Sequence, residues 1–236
     1  CDKLIAMSPS LNDTLVKITG KSKDKVATIP QYCEKFYEQD IHNIELEEKY
    51  KNYFKIVYAG NISPAQNVEV AVDAAVLLKK DGIKDIKFII VGDGMSKKDI
   101  EAYVEKQGVV EYFDFLGSKP VTDMPVYHTL ADALFAPLAK SDDLGLTIPA
   151  KVTSYMAGGK PVLTCIDGEG SFVIEKAKAG LTAPSGDSKA LYENIVKLYS
   201  MPKAEREEMG ANARNYHFEY HSRDKVLKDL INFILD

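Results

Sequence analysis

Between Leu144 and Val162 the chain reads Leu-Gly-Leu-Thr-Ile-Pro-Ala-Lys-Val-Thr-Ser-Tyr-Met-Ala-Gly-Gly-Lys-Pro-Val, a pattern suited to holding an anion. Thr147 can cap a helix, Pro149 fits near its first turn, and Gly158-Gly159 can end it. A helix start exposes amides that lack an intrahelical acceptor and carries about half a positive elementary charge, so it receives phosphate readily. Lys151 falls in that first turn, where a cation ordinarily costs a few tenths of a kcal/mol. Either an anion lies beside it or the side chain reaches into water, and the residues alone leave both readings open. Two glycine turns follow apolar runs, Gly60-Asn61 and Gly92-Asp93-Gly94. Glycine lets a backbone approach a ligand closely or adopt positive φ. The second turn is a poor dinucleotide fingerprint, because its third glycine position holds Lys97. A tight strand-to-helix turn and a ligand contact fit it equally.

Other reactive residue types carry less. His217 and His221 are spaced as a zinc pair, yet their run, His-Phe-Glu-Tyr-His, departs from the zinc-protease order. They are expected to lie on the surface, with His128 structural and Tyr155 a packing residue. No Ser-His-Asp, Cys-His or paired-carboxylate arrangement stands out, and no metal or bound cofactor is expected. Cys1, Cys33 and Cys165 are odd in number and widely spaced, which suits a reducing compartment rather than a disulfide framework.

The elements that would position these groups alternate along 236 residues. Strands are expected at 54–59, 86–91, 112–116, 133–136, 161–165 and 181–183. Helices fall between them at about 124–130, 149–157, 172–179 and 189–199, then 204–219 and 223–235. Val68, Ala71, Val72, Ala75 and Val76 make one buried helical stripe, and Ser96 with Asp99 forms a capping box for the next helix. Apolar strands separated by amphipathic helices form a parallel sheet covered on both faces, a doubly wound α/β domain. Residues 4–30 read strand, helix, strand, with Ser10 or Asn12 as the helix cap, and 31–53 read as a polar linker. A chain that opens at Cys1, just before a strand, is expected to be part of something longer. The net charge of −5 argues against a nucleic-acid partner, and no apolar run approaches the roughly 20 residues of a membrane helix. Ligands of such sheets sit at the carboxyl ends of the strands where strand order reverses.

From 54 onward the chain resembles the C-terminal half of family-four (group 1) retaining glycosyltransferases of GT-B fold. The motifs that carry this, in order, are Val57–Asn61, Phe88–Gly94, Phe115-Leu-Gly117, Tyr127 with Ala131-Asp132, Thr147–Val162, Gly180–Pro184 and Met209–Arg214. The resemblance implies a Rossmann-like donor domain over 51–218, preceded by the end of an acceptor domain and a linker over 1–50. It also implies a last helix, 219–236, that packs back toward the acceptor domain. The donor would be a nucleotide sugar, UDP-linked in preference, and the acceptor a glycan or lipid-linked glycan. Backbone at Gly117 and Ser118 would face the base. Leu144, Gly145, Leu146, Thr147, Ile148 and Pro149 would face pyrophosphate and sugar, with Gly60, Gly92 and Gly94 nearby. The protein would have to offset the charge developing on the departing diphosphate with amides, a helix dipole and fixed cations.

The sequence departs from that family at telling places. An Arg and a Lys that meet the diphosphate in many members are Asn61 and Gln66 here. A glutamate that contacts the ribose is Ser154, and its companion falls near Leu146, or near Asp142 or Asp143. Lys151 then becomes the leading catalytic cation, with Lys140 and Lys160 behind it. A branch of polysaccharide-assembly enzymes shares the Pro-x-Lys-x-x-Ser-Tyr-Met pattern. The whole is expected to serve surface-polysaccharide, capsule or glycoconjugate synthesis from the cytoplasm, meeting the inner face of the membrane, if at all, through the other half. The alternatives are a non-catalytic partner subunit of the same fold and a sugar-nucleotide epimerase.

Overall fold

The computed structural model describes residues 2–235, so Cys1 lies outside the described residues. The chain opens with β1 (Leu4–Ala6), α1 (Pro9–Thr19) and β2 (Val26–Thr28), and the two strands pair in parallel with Ile5 opposite Ala27. Ser8, rather than Ser10 or Asn12, caps α1 by accepting from the Leu11 amide at 3.2 Å. The other two are engaged elsewhere. The Ser10 amide donates to Glu169 Oε1 at 2.7 Å, and Asn12 Nδ2 donates to the Val26 carbonyl at 2.9 Å.

The polar stretch expected as a linker folds in part as α2 (Ile44–Tyr50), capped by Asn43, which accepts from the Leu46 amide at 3.0 Å. Tyr50 is buried, and its hydroxyl donates to Asp114 at 2.7 Å. So short a helix has room for only one or two apolar anchors, and its charged residues mask the period.

The main domain runs β3 (Phe54–Ala59), α3 (Glu69–Lys80), β4 (Ile86–Val91), α4 (Lys97–Gln107), β5 (Phe113–Gly117), α5 (Met124–Leu130), β6 (Ala133–Pro137) and α6 (Asp142–Gly145). It continues α7 (Ala150–Ala157), β7 (Val162–Cys165), α8 (Glu169–Ala177), β8 (Gly180–Ala183), α9 (Ser188–Ser200) and α10 (Lys203–Tyr216). The strands are parallel in the order β5-β4-β3-β6-β7-β8. Alternate residues feed two cores. Ile56, Phe88 and Phe135 meet Val72, Leu78 and Ile195 on one face. Val57, Ile89 and Leu134 meet Tyr127, Val152 and Ile174 on the other. This is the doubly wound sheet that the alternation of apolar strands and amphipathic helices predicts. Ser96 makes no side-chain cap for α4, so the expected capping box is absent there.

A π-turn at His217–His221 leads into α11 (Arg223–Leu235). Both histidines are buried, contrary to the surface placement expected of them. His217 Nε2 lies 3.0 Å from Glu38, and the π-turn swings both rings inward toward segment 31–38. Beside them the two crossings to and from the N-terminal piece run side by side. Cys33 and Ser222 form a parallel bridge, with the Cys33 amide donating to the His221 carbonyl at 2.9 Å. Lys35 pairs with Asp224 at 2.8 Å, and Arg223 with Glu34 at 3.8 Å.

One contact fixes α7 against the sheet. The buried Tyr155 hydroxyl accepts from the Ala59 amide at 2.8 Å and donates to the Ala59 carbonyl at 3.2 Å. Tyr155→Phe keeps the ring and leaves that buried amide unpaired, a loss of about 1–3 kcal/mol. Thermal unfolding is expected to fall by about 2–4 °C for each kcal/mol at this chain length. An unchanged melt would show that this hydroxyl does not hold α7 to β3.

Candidate functional site

Strand order reverses between β3 and β6, since β4 and β5 extend to one side and β7 and β8 to the other. The loop after β3 and the segment from β6 to α7 therefore converge where this class of sheet opens a crevice. Gly60 leaves β3 at φ 155°, and its amide donates to the Val91 carbonyl at 2.9 Å. The next turn is fitted tightly to it. A Cβ at Gly92 would lie 1.9 Å from the Gly60 carbonyl oxygen, and one at Gly94 would lie 2.1 Å from that of Ile62. Gly92 and Gly94 are thus required by backbone packing. Gly92 also lines the crevice, together with Gly60, Asn61 and Ser118, in a cavity of about 300 Å³ that Tyr37 and Met124 close. Gly117, at φ 70°, turns the chain from β5 toward Ser118.

On the other side of Ala59 and Tyr37 lies a second cavity of about 270 Å³, walled by Cys33, Ala150, Lys151 and Ser154. Tyr37 and Ala59 belong to both. At this junction α7 begins. Pro149 occupies its cap position without any side-chain cap, and Thr147 turns its hydroxyl back to the Leu144 carbonyl at 3.2 Å. Thr147 therefore does not cap the helix as expected. The first amides, at Ala150 and Lys151, lack intrahelical acceptors by helix geometry, and both residues line the open cavity rather than packed protein.

Lys151 does not extend into solvent. Its ammonium donates to Gln66 Oε1 and stands 4.1 Å from the centroid of the buried Tyr58 ring. A Cβ at Gly60 would lie 3.8 Å from its Nζ, so the charge sits directly beside the β3 loop. Burial pulls the ammonium down to about 7. Tyr58 in turn donates its hydroxyl to the Asn61 carbonyl, which fixes the loop. Gln66 is thus in direct contact with the cation, whereas Asn61 is linked to it only through Tyr58 and turns its side-chain oxygen toward Gly94. Ser154 lines the same cavity and donates its hydroxyl to the Lys151 carbonyl at 3.0 Å.

The remaining expected residues divide. Leu144, Gly145, Leu146 and Thr147 form the half-buried turn in front of α7 but wall neither cavity. Leu146 presents its carbonyl to the Ser8 hydroxyl, and Gly145 packs under Gly168. Ile148 faces a separate, largely apolar cavity of about 440 Å³ with Met7, Phe172, Tyr216 and His221. Lys140 is exposed beyond β6, and Lys160 precedes β7 at the opposite, amino ends of the strands, beside Asp132 and Arg206.

Sequence reading missed Tyr37, which comes from the segment taken as linker. Its ring stacks on His128 at 5.5 Å and 15°, and His128 meets Tyr155 edge-on at 5.1 Å. Burial takes His128 down to about 3, so it stacks as the neutral ring. The aromatic pair Phe36-Tyr37 in an otherwise polar stretch was the available signal. Among the described residues no three His, Cys, Asp or Glu side chains gather as a metal site.

The strand order and the amide- and cation-lined crevice at its reversal define a doubly wound α/β domain of the Rossmann-like kind. Residues 40–216 match the family model described as glycosyl transferases group 1, and the chain belongs to that family. It is 28% identical over 147 residues to the 2-deoxystreptamine glucosyltransferase of Streptomyces kanamyceticus, covering 62% of this chain and 36% of that protein. With the amylovoran biosynthesis glycosyltransferase AmsK of Erwinia amylovora the identity is 23% over 201 residues, covering 82% and 49%. The chain thus spans less than half the length of these relatives. Anabaena HepE, solved with UDP and glucose, superposes with a TM-score of 0.81 at 16% identity, covering 100% of this chain and 63% of that one. These neighbours share the GT-B architecture.

Lys151 is a burden on the fold. Its pKa falls from 10.5 unfolded to about 7 folded, so the unfolded chain binds more protons between those values and stability gains as pH rises through them. Lys151→Met, of similar length, is expected to raise the melting temperature by at least about 2–4 °C, corresponding to about 1 kcal/mol. The gain is largest below the folded value and shrinks toward the unfolded one. A lowered melting point at neutral pH would show that the ammonium is compensated within the protein.

Proposed function

We propose that this chain is the nucleotide-sugar-binding half of a retaining glycosyltransferase that assembles a surface polysaccharide or other glycoconjugate. The observation that carries the reading is the Lys151 ammonium, held at the start of α7 against Gly60 at the strand-order reversal. In the division this reading assigns, 51–218 bind the donor, 1–50 end the acceptor domain and its linker, and 219–236 return to that domain. Acceptor recognition then belongs to chain beyond these residues, and a glycan or lipid-linked glycan is the acceptor class. Several structural neighbours were solved with UDP or UDP-glucose, among them HepE and pneumococcal GtfA, and this favours a UDP-sugar here. Sugar transfer in this reading is a cytoplasmic reaction, and no helix among the described residues is long and apolar enough to cross a membrane.

The chemistry follows from charge. As the bond from the anomeric carbon to the diphosphate oxygen breaks, negative charge grows on the leaving group. Groups already fixed around that oxygen stabilise it without reorganising. The first amides of α7 and the Lys151 ammonium are such groups. Lys151 enters from α7, whereas the family's loop cations would enter at Asn61 and Gln66, and Gln66 here orients the substitute. The neutral replacements Asn61, Gln66 and Ser154 also support a second reading, a donor-like domain that serves as a non-catalytic partner.

Titration calorimetry separates the two. The donor-site reading expects UDP to bind, and Lys151→Ala to weaken it by about ten- to hundredfold, as the loss of a charge-assisted hydrogen bond does. Because binding an anion requires the ammonium, and its free value is about 7, binding takes up a proton. Affinity is expected to fall between about pH 7.5 and pH 9, by at most tenfold per unit. Equal affinity for the variant would remove Lys151 from the site, and no binding by the unaltered protein would leave only the partner reading.

A further inference from the structure

We infer that the Tyr37 hydroxyl is the group that holds the ribose of the bound nucleotide, in a role the cavity-lining Ser154 cannot fill alone. The inference rests on the donor-site reading above. Three observations lead to it. A nucleoside diphosphate is linear in its chemistry, with base, ribose and diphosphate in that order. The crevice has two chambers, one beside Gly92 and Ser118, the other at Lys151 and the start of α7, and only Tyr37 and Ala59 wall both. A ligand with its base in the first and its phosphates in the second must pass its ribose between them.

At that junction Ala59 offers no free donor, since its amide and carbonyl are both engaged by Tyr155. Ser154 directs its proton to the Lys151 carbonyl and retains only acceptor capacity. Tyr37, by contrast, makes no hydrogen bond through its hydroxyl to any described residue, while its ring packs against two aromatic neighbours. Phe36 lies 4.3 Å away and His128 stacks at 5.5 Å. His128 is itself seated against Tyr155, on the helix that carries Lys151. The phenol is therefore immobilised before any ligand arrives. A locked ring with an unspent donor and acceptor at its tip suits a sugar hydroxyl and loses little rotamer freedom on binding.

This makes Tyr37 a specificity residue supplied by the segment between the two pieces of the chain. It reads a hydroxyl of the ribose, which Lys151 and the amides of α7, turned to the diphosphate, do not.

The test is calorimetry with UDP, 2′-deoxy-UDP and 3′-deoxy-UDP on the unaltered protein and on Tyr37→Phe, which keeps the stacked ring. UDP is expected to bind the variant about three- to tenfold more weakly, the scale of one neutral hydrogen bond. For whichever deoxynucleotide lacks the contacted hydroxyl, the two proteins should bind equally. Equal binding of UDP by both proteins overturns the assignment, and so does a loss of similar size with all three ligands. If the unaltered protein binds UDP and the variant matches it, Tyr37 fails and the donor site stands. If the unaltered protein binds none of the three, both readings fall together.

Discussion

Lys151 brings a positive charge into the crevice, and among the described residues no carboxylate pairs with it, although Glu34 lines the same cavity. Its ammonium has an amide oxygen from Gln66 and the face of Tyr58 for company, and burial alone accounts for its lowered pKa. An arrangement of this kind is unfavourable by itself, because desolvating an ion without a counter-charge costs more than a neutral hydrogen bond returns. The surrounding structure is organised to keep the charge there. Tyr155 locks α7 onto the end of β3, Tyr58 locks the loop after it, and Gly60, at φ 155°, brings that loop alongside the side chain. Sites that stabilise charge developing in a reaction commonly hold such strain in readiness.

The sheet explains why these parts meet. β3 and β6 are separated by two strand–helix units in sequence and are neighbours in space. The loops that follow them are therefore the two that converge at the reversal, one bringing Gly60 and Gln66 and the other α7 with Lys151. In the donor-site reading proposed above, cations that the resemblance implies on the first loop and the one that α7 supplies here would address the same point.

The sheet was legible because its strands obey a local rule. Ile86–Val91 is buried on both faces and lies between helices of clear period, so its type and placement follow from composition alone. Lys151 was legible as an oddity, a cation where a helix disfavours one, although only the fold shows it turned inward. What escaped depends on contacts distant in sequence. Tyr50 and Tyr37 are aromatic anchors in a charged stretch, and nothing local says that Asp114 or His128 waits for them. His217 and His221 look exposed on a regular helix, and the π-turn that rotates them inward has no pattern at that length. Thr147 satisfied the rule for a cap, yet Pro149 took the position and the hydroxyl closed a turn instead.

The bridge between Cys33 and Ser222 has a mechanical meaning. Two segments joined by backbone hydrogen bonds at one point resist sliding past each other but can bend together, as a strap doubled over bends along its fold. Any tilt of the N-terminal piece would then pivot about this line, and Tyr37 lies only four residues from it along the chain. Because the Tyr37 ring is stacked on His128, a bend at this line would leave the phenol and Lys151 on the same side of it. The wall of the crevice and the line of this bridge are parts of one short stretch.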